Sequence, residues 1–204
     1  MTDALAALLA GGKRVRPAFA YWGWRAAGGD LAQEAGVVTA AASLEFLQAC
    51  ALVHNDVMDG SDTRRGQPAV HRRFAGLHRE SGWHGAAESF GLGAAILLGD
   101  LCLAWADELL LAADVPPDAR ARAKPVYDEM RTEVMAGQYL DLREQARGGG
   151  SVARALRVLR FKSAKYTIER PLHLGAALAG AAAGTLGAYT GFGLRLGEAF
   201  QLRD

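Results

Sequence analysis

Surplus charge is almost absent from this sequence. Its 204 residues hold 23 lysines and arginines against 22 aspartates and glutamates, a net charge of +1. Bulk charge therefore gives no reason to invoke nucleic acid or an anionic membrane as a partner. Cysteine is scarce. Cys50 and Cys102 stand singly in apolar stretches, with neither metal-knuckle nor redox spacing, and read as two buried thiols in a reducing cytoplasm. No segment alternates apolar and polar residues for long, so no strand is expected. The opening MTDALAALLAGGKR has Asp3 where a signal peptide carries positive charge, and no cleavage pattern. The longest uncharged run, Pro171 to Leu194, has the length of a membrane span. It is mostly alanine and glycine and contains His173, so it reads as tightly packed helices without stable membrane insertion.

What is present is helical pattern and apolar mass. Half of the residues are hydrophobic, enough for the sizeable core of one domain covering 1–204. Pro17 suits the first turn of a helix, and Gly28-Gly29 closes it. Asp30 can cap the next helix, which is apolar nearly all round and so belongs inside a bundle. SDTRRGQPAV reads as a loop. Further helices are expected over about 86–113 and 118–147, the second with Pro125 as a kink. A basic helix capped by Ser151 should run to Tyr166, followed by two helices parted near Gly184-Thr185.

The most informative stretch is HNDVMDGSDTRRG, residues 54–66. Asn55, Asp56 and Asp59 stand at i, i+1 and i+4 near a helix end, so positions 55 and 59 share a face one turn apart. Oxygen donors in that array can hold a hard cation such as Mg²⁺, which binds few protein oxygens and shares the rest with substrate phosphates. Acidic groups at a helix C-terminus oppose the macrodipole, a cost that a bound cation offsets. Arg64 and Arg65 follow directly, and forked guanidinium bonds suit a diphosphate. A solvated polar helix end would account for the spacing equally well. GGKRVRP, residues 11–17, sets three cations after two glycines at a helix start, a second candidate anion site. Two anion sites and a metal site point to two phosphorylated substrates.

These motifs resemble those of the trans-prenyltransferases, the polyprenyl synthetase family, in its geranylgeranyl diphosphate synthase-like form. NDVMD followed by RRG is similar to the family's first aspartate-rich motif, usually DDxxD. GGKRVRP matches its GGKRxRP signature. GQYLDL at 137–142, FKSAKYT at 161–167 and FQLRD at 200–204 resemble its GQxxD element, its lysine-containing element and the start of its second aspartate-rich motif. The resemblance covers nearly the whole chain. It implies an all-α fold, a helical bundle of the isoprenoid synthase type with a central apolar cavity, incomplete at both ends. The single domain, 1–204, would stop at the start of the second aspartate motif.

The resemblance also implies roles. Lys13, Arg16 and Gln48 would bind the diphosphate of isopentenyl diphosphate, and Arg64 that of the allylic substrate, with Arg65 serving the isopentenyl site. Asn55, Asp56 and Asp59 would belong to the first Mg²⁺ cluster, supported by Asp141, and Asp204 to the second, with Gln201 lining the cavity. Lys162 would touch the allylic diphosphate and, with Ser163 and Gln138, stabilise the cationic intermediate. Cys50 and Ala51 are small where family members that stop at C15 carry bulky aromatics, so the expected product is C20 or longer, with Phe46 a candidate deeper floor. A cytoplasmic homodimer is implied, its shared face on the apolar helix over 86–113. Asn55 stands where the family has aspartate, which predicts weakened metal binding and a large loss of rate. It also keeps open a non-catalytic homologue or partner subunit that binds prenyl diphosphates. A terpene cyclase shares the fold but needs no isopentenyl site, so GGKRVRP argues against it.

Overall fold

Helices account for nearly all of residues 1–203, which the computed structural model describes. In chain order they are α1 (Thr2–Ala10), α2 (Val15–Ala26), a short 3-10 turn (Leu31–Gln33), α3 (Glu34–Met58), α4 (Val70–Glu80), α5 (Ala87–Ala112), α6 (Pro117–Arg147), α7 (Val152–Leu159), a π-helical segment (Arg160–Glu169), α8 (Arg170–Ala179) and α9 (Ala183–Arg203). Asp30 accepts a bond from the Ala32 amide at 3.0 Å and so caps the 3-10 turn that leads into α3. Ser151 caps α7 through the Arg154 amide. Pro117 takes the first position of α6, where its missing N–H costs nothing, and Pro125 lies inside that helix without ending it.

Four local features differ from expectation. The loop after α3 contains a two-stranded antiparallel ladder, β1 (Thr63–Arg64) and β2 (Gln67–Pro68), with Thr63 opposite Pro68 and Arg64 opposite Gln67. Two-residue strands are too short to show alternation. Residues 70–80 form α4, which buries Val70, Phe74 and Ala75 at helical spacing. The basic helix of 152–166 widens at Arg160 from i→i+4 to i→i+5 bonding, which no composition signal announces. The two helices of the uncharged run part at residues 180–182, where Gly180 is left-handed, rather than at 184–185.

The chain divides into two compact units. The first is Met1–Lys13 with Ser43–Leu110, and the second is Arg14–Ala42 with Leu111–Asp204. In the first, Ala49, Cys50 and Val53 of α3 pack with Ala4 and Leu5 of α1, Val70 and Phe74 of α4, and Ala95, Leu98 and Cys102 of α5. In the second, α2 packs on α8, and α6 packs on the π segment and α8. α8 is buried almost throughout, and so its apolar run is core.

Two stretches, Leu31–Met58 and α5, are long and apolar enough to cross a membrane by length and composition. Over half of the most apolar 18 residues of the first are buried in the protein, as in a core helix. Only a third of those of α5 are, and it leaves Leu92, Ile96 and Leu97 exposed.

Candidate functional site

In the first unit the expected residues follow from one helical stripe. Gln48 and Asn55 are two turns apart on α3 and share a face, with Ala51 between them. Gln48 Oε1 and Asn55 Oδ1 are both buried without a hydrogen-bond partner. Buried acceptors in that state are costly unless something fills them. Asp59 follows one turn on, exposed beyond the last turn of the helix.

Asp56, only 2% exposed, is engaged by Arg64. Arg64 Nε donates to both carboxylate oxygens, at 3.1 and 3.2 Å, and Nη2 adds a short contact to Oδ1. This hydrogen bonding pushes the Arg64 pKa up, against the opposing effect of burial. Arg64 lies in β1, so the small ladder sets the height at which its guanidinium meets α3. Arg65 follows with φ +53°, a left-handed backbone in a turn. That turn swings its side chain onto Leu8 and Gly11. Its Nη1 donates to Leu8 O at 3.4 Å, and a Cβ on Gly11 would lie 2.8 Å from the same Nη1. Gly11 therefore permits the approach of Arg65 to the loop that ends, within this unit, at the exposed Lys13. Cys50 faces the other way, into the core, with Sγ 3.7 Å from His54 Nδ1. Burial pushes its thiol pKa up to about 12. Phe46 lies on that same side, edge-on to Trp105 at 6.2 Å.

In the second unit, Lys162 Nζ bonds Asp141 Oδ2 at 2.6 Å, and Ser163 Oγ donates to Gln201 Oε1 at 2.5 Å. Gln138 Nε2 is buried without a partner. Arg16 Nη2 donates to Thr167 Oγ1 at 2.9 Å, and its guanidinium lies over the Tyr166 ring, 4.3 Å from the centroid. Asp204 falls outside the described residues.

The π segment and the first residue of α8 are fastened to α6 by a stripe of residues four apart. Arg170 bonds Glu129 and Glu133 at 2.6 Å each, Lys165 also bonds Glu133, and Lys162 bonds Asp141. Burial alone would raise the Glu133 pKa, but the bonds from Arg170 and Lys165 outweigh it and hold it low. Between these pairs, a Cβ on Gly137 would sit 2.4 Å from Lys162 N. Gly137→Ala should thus push the segment off α6, costing about 1–3 kcal/mol in urea unfolding. Stability equal to that of the parent would show that the contact is slack.

Among the described residues, no three His, Cys, Asp or Glu side chains stand ready to hold a metal. The donors at the end of α3 nevertheless fit Mg²⁺ as a shared ion. Asn55 Oδ1 is a buried orphan acceptor, Asp59 is open, and Mg²⁺ takes few protein oxygens when phosphates complete its shell. Asp56 fits less well, since Arg64 already occupies its carboxylate. Sequence patterns missed the π segment and the Glu129/Glu133/Arg170/Lys165 ion cluster. The second had one legible trace, the four-residue spacing of Glu129, Glu133, Gly137 and Asp141.

A helical chain with a polar helix end clasped by arginine and a lysine held on a π segment is thereby defined. The model of the polyprenyl synthetase family matches residues 1–204, and the chain belongs to that family. It is 33% identical over 171 residues to a geranylfarnesyl diphosphate synthase of Natronomonas pharaonis, covering 84% of this chain and 45% of that one. It is 30% identical over 195 residues to a geranylgeranyl diphosphate synthase of Methanosarcina mazei, covering 96% and 54%. The chain thus spans about half the length of these curated relatives. A crystal structure of geranylgeranyl pyrophosphate synthase from Corynebacterium glutamicum, complexed with isoprenyl diphosphate and magnesium, is 46% identical. It superposes with a TM-score of 0.94 over 100% of this chain and 59% of that one. The all-α fold expected from the sequence is the fold of these proteins.

Proposed function

We propose that this chain acts as a trans-prenyltransferase, joining isopentenyl diphosphate to an allylic diphosphate to give a prenyl diphosphate of C20 or longer. The observation that carries this reading is the pair of unpartnered buried acceptors, Gln48 Oε1 and Asn55 Oδ1, on one stripe of α3 whose end is gripped by Arg64. The geranylgeranyl and geranylfarnesyl diphosphate synthases among its relatives favour the long product. Lys13, Arg16, Gln48 and Arg65 bind isopentenyl diphosphate. Arg64 and Lys162 hold the allylic diphosphate, and Asp56 keeps the Arg64 fork in plane. Asn55 and Asp59 would hold Mg²⁺, which would supply positive charge beside the leaving pyrophosphate. Departure of that group leaves an allylic carbocation. Ser163 and Gln138 place uncharged oxygens near it without trapping it. The isopentenyl double bond attacks, and a proton is lost to the pyrophosphate. No nucleophilic side chain is required. Asp141 holds Lys162 in place, and Asp204 would be the first ligand of the second metal site.

The protein is cytoplasmic and pairs with a second copy through the exposed apolar face of α5, where Ile96 and Leu97 stand 45% and 62% exposed. Asn55 favours a second reading, a family member that binds prenyl diphosphates without turning them over. Radiolabelled isopentenyl diphosphate, an allylic primer and Mg²⁺, with products read by mass spectrometry, separates the two. Prenyl diphosphates of C20 or longer support the enzyme. Saturable binding with no product supports the second reading. Gel filtration checks the dimer.

A further inference from the structure

Bulk neutrality hides a local imbalance. Residues 142–160 carry five arginines, Arg143, Arg147, Arg154, Arg157 and Arg160, against one carboxylate, Glu144. Arg154 is paired with Glu144 and Arg160 with Glu198. Arg143, Arg147 and Arg157 lie outside those pairs, all exposed. The same stretch exposes apolar side chains. Val152 is 78% exposed, more than any other large hydrophobic among the described residues, and Leu156, one turn on, is 41% exposed. On a helical wheel Leu156 is flanked by Arg160 and then Arg157, so the solvent face of α7 mixes a short apolar strip with a cationic edge.

We infer that α7 and the last turns of α6 form a docking patch for an anionic lipid surface, which the protein binds peripherally and reversibly. Charge complementarity supplies the attraction, and Val152 and Leu156 enter the headgroup boundary while the arginines reach its phosphates. A soluble polyanion would use the arginines but leave Val152 in water. Eight residues with two exposed large apolar side chains are too few to anchor on a neutral bilayer, so binding is governed by lipid charge and salt. Docking would place the enzyme at the surface where a long-tailed diphosphate product dissolves.

Cosedimentation with phosphatidylcholine vesicles, with and without phosphatidylglycerol, tests this. Binding is expected only with the anionic lipid and should weaken steeply as salt is raised. Arg143→Gln, Arg147→Gln and Arg157→Gln combined should lower the partition coefficient about a hundredfold, at about fivefold per arginine. Val152→Asn with Leu156→Asn should lower it several-fold, with the salt dependence unchanged. Circular dichroism confirms that these surface variants remain helical. No binding by the parent protein, equal binding to neutral vesicles, or an unaffected triple variant overturns the patch. Complete displacement by inorganic pyrophosphate, or indifference to the Val152 and Leu156 changes, overturns its assignment to lipid.

Discussion

Asn55→Asp should raise turnover on the order of a hundredfold, the scale of one preorganised electrostatic contact in a transition state. The amide at position 55 offers one neutral oxygen, buried and without a partner. A carboxylate there adds a full charge and a second oxygen, and so can bridge two cations. The new charge would stand beside Asp56 and one turn from Asp59. Arg64 already offsets Asp56, but nothing among the described residues is bonded to Asn55 Oδ1. The variant should therefore be less stable than the parent without Mg²⁺ and recover when the ion is added, because a ligand that binds only the folded state stabilises it. Isopentenyl diphosphate affinity, set by other side chains, should change little. Titrating turnover against Mg²⁺ and following thermal unfolding with and without the ion checks both halves. A flat response in both would remove the ligand role from position 55.

Bulky aromatics at the two small positions before Asn55 should cut the product to C15, at different cost to the fold. Ala51 lies on the stripe of Gln48 and Asn55 and is partly exposed, so Ala51→Phe should shorten the product with little loss of stability. Cys50 is roughly 140° from Asn55 around the helix. It is 5% exposed, packed in the core with Val53, Leu98 and Cys102. Cys50→Phe must find room there, and should cost about 1–3 kcal/mol as well as shortening the product. Measured in the Asn55→Asp background, product length by mass spectrometry and urea midpoints separate the two effects. Unchanged product length in both variants would remove chain-length control from this part of α3.

The sequence carried the fold class because helical periodicity and caps are local. Asp30 and Ser151 cap where their side chains and following residues say they should, and Pro117 starts α6 as proline does. The candidate site was legible wherever its residues come in short runs, as in 11–17 and 54–66. What escaped depends on partners distant in sequence. The i→i+5 bonding of the π segment has no trace in the composition of FKSAKYT. The engagement of Asp56 by Arg64 needs the turn at Arg64 and Arg65, which two-residue strands do not announce. Cys50 and Ala51 look alike as small residues in the sequence, and only their burial tells one from the other.

The stripe on α6 has a consequence for insertions and deletions. Glu129, Glu133, Gly137 and Asp141 meet Arg170, Lys165 and Lys162 through one shared phase between two helices. Adding or removing one residue between Glu133 and Asp141 would rotate everything beyond it by about 100°. Either the acidic partners or the glycine gap would then miss the opposing segment. The length of this part of α6 is thereby constrained as tightly as its side chains.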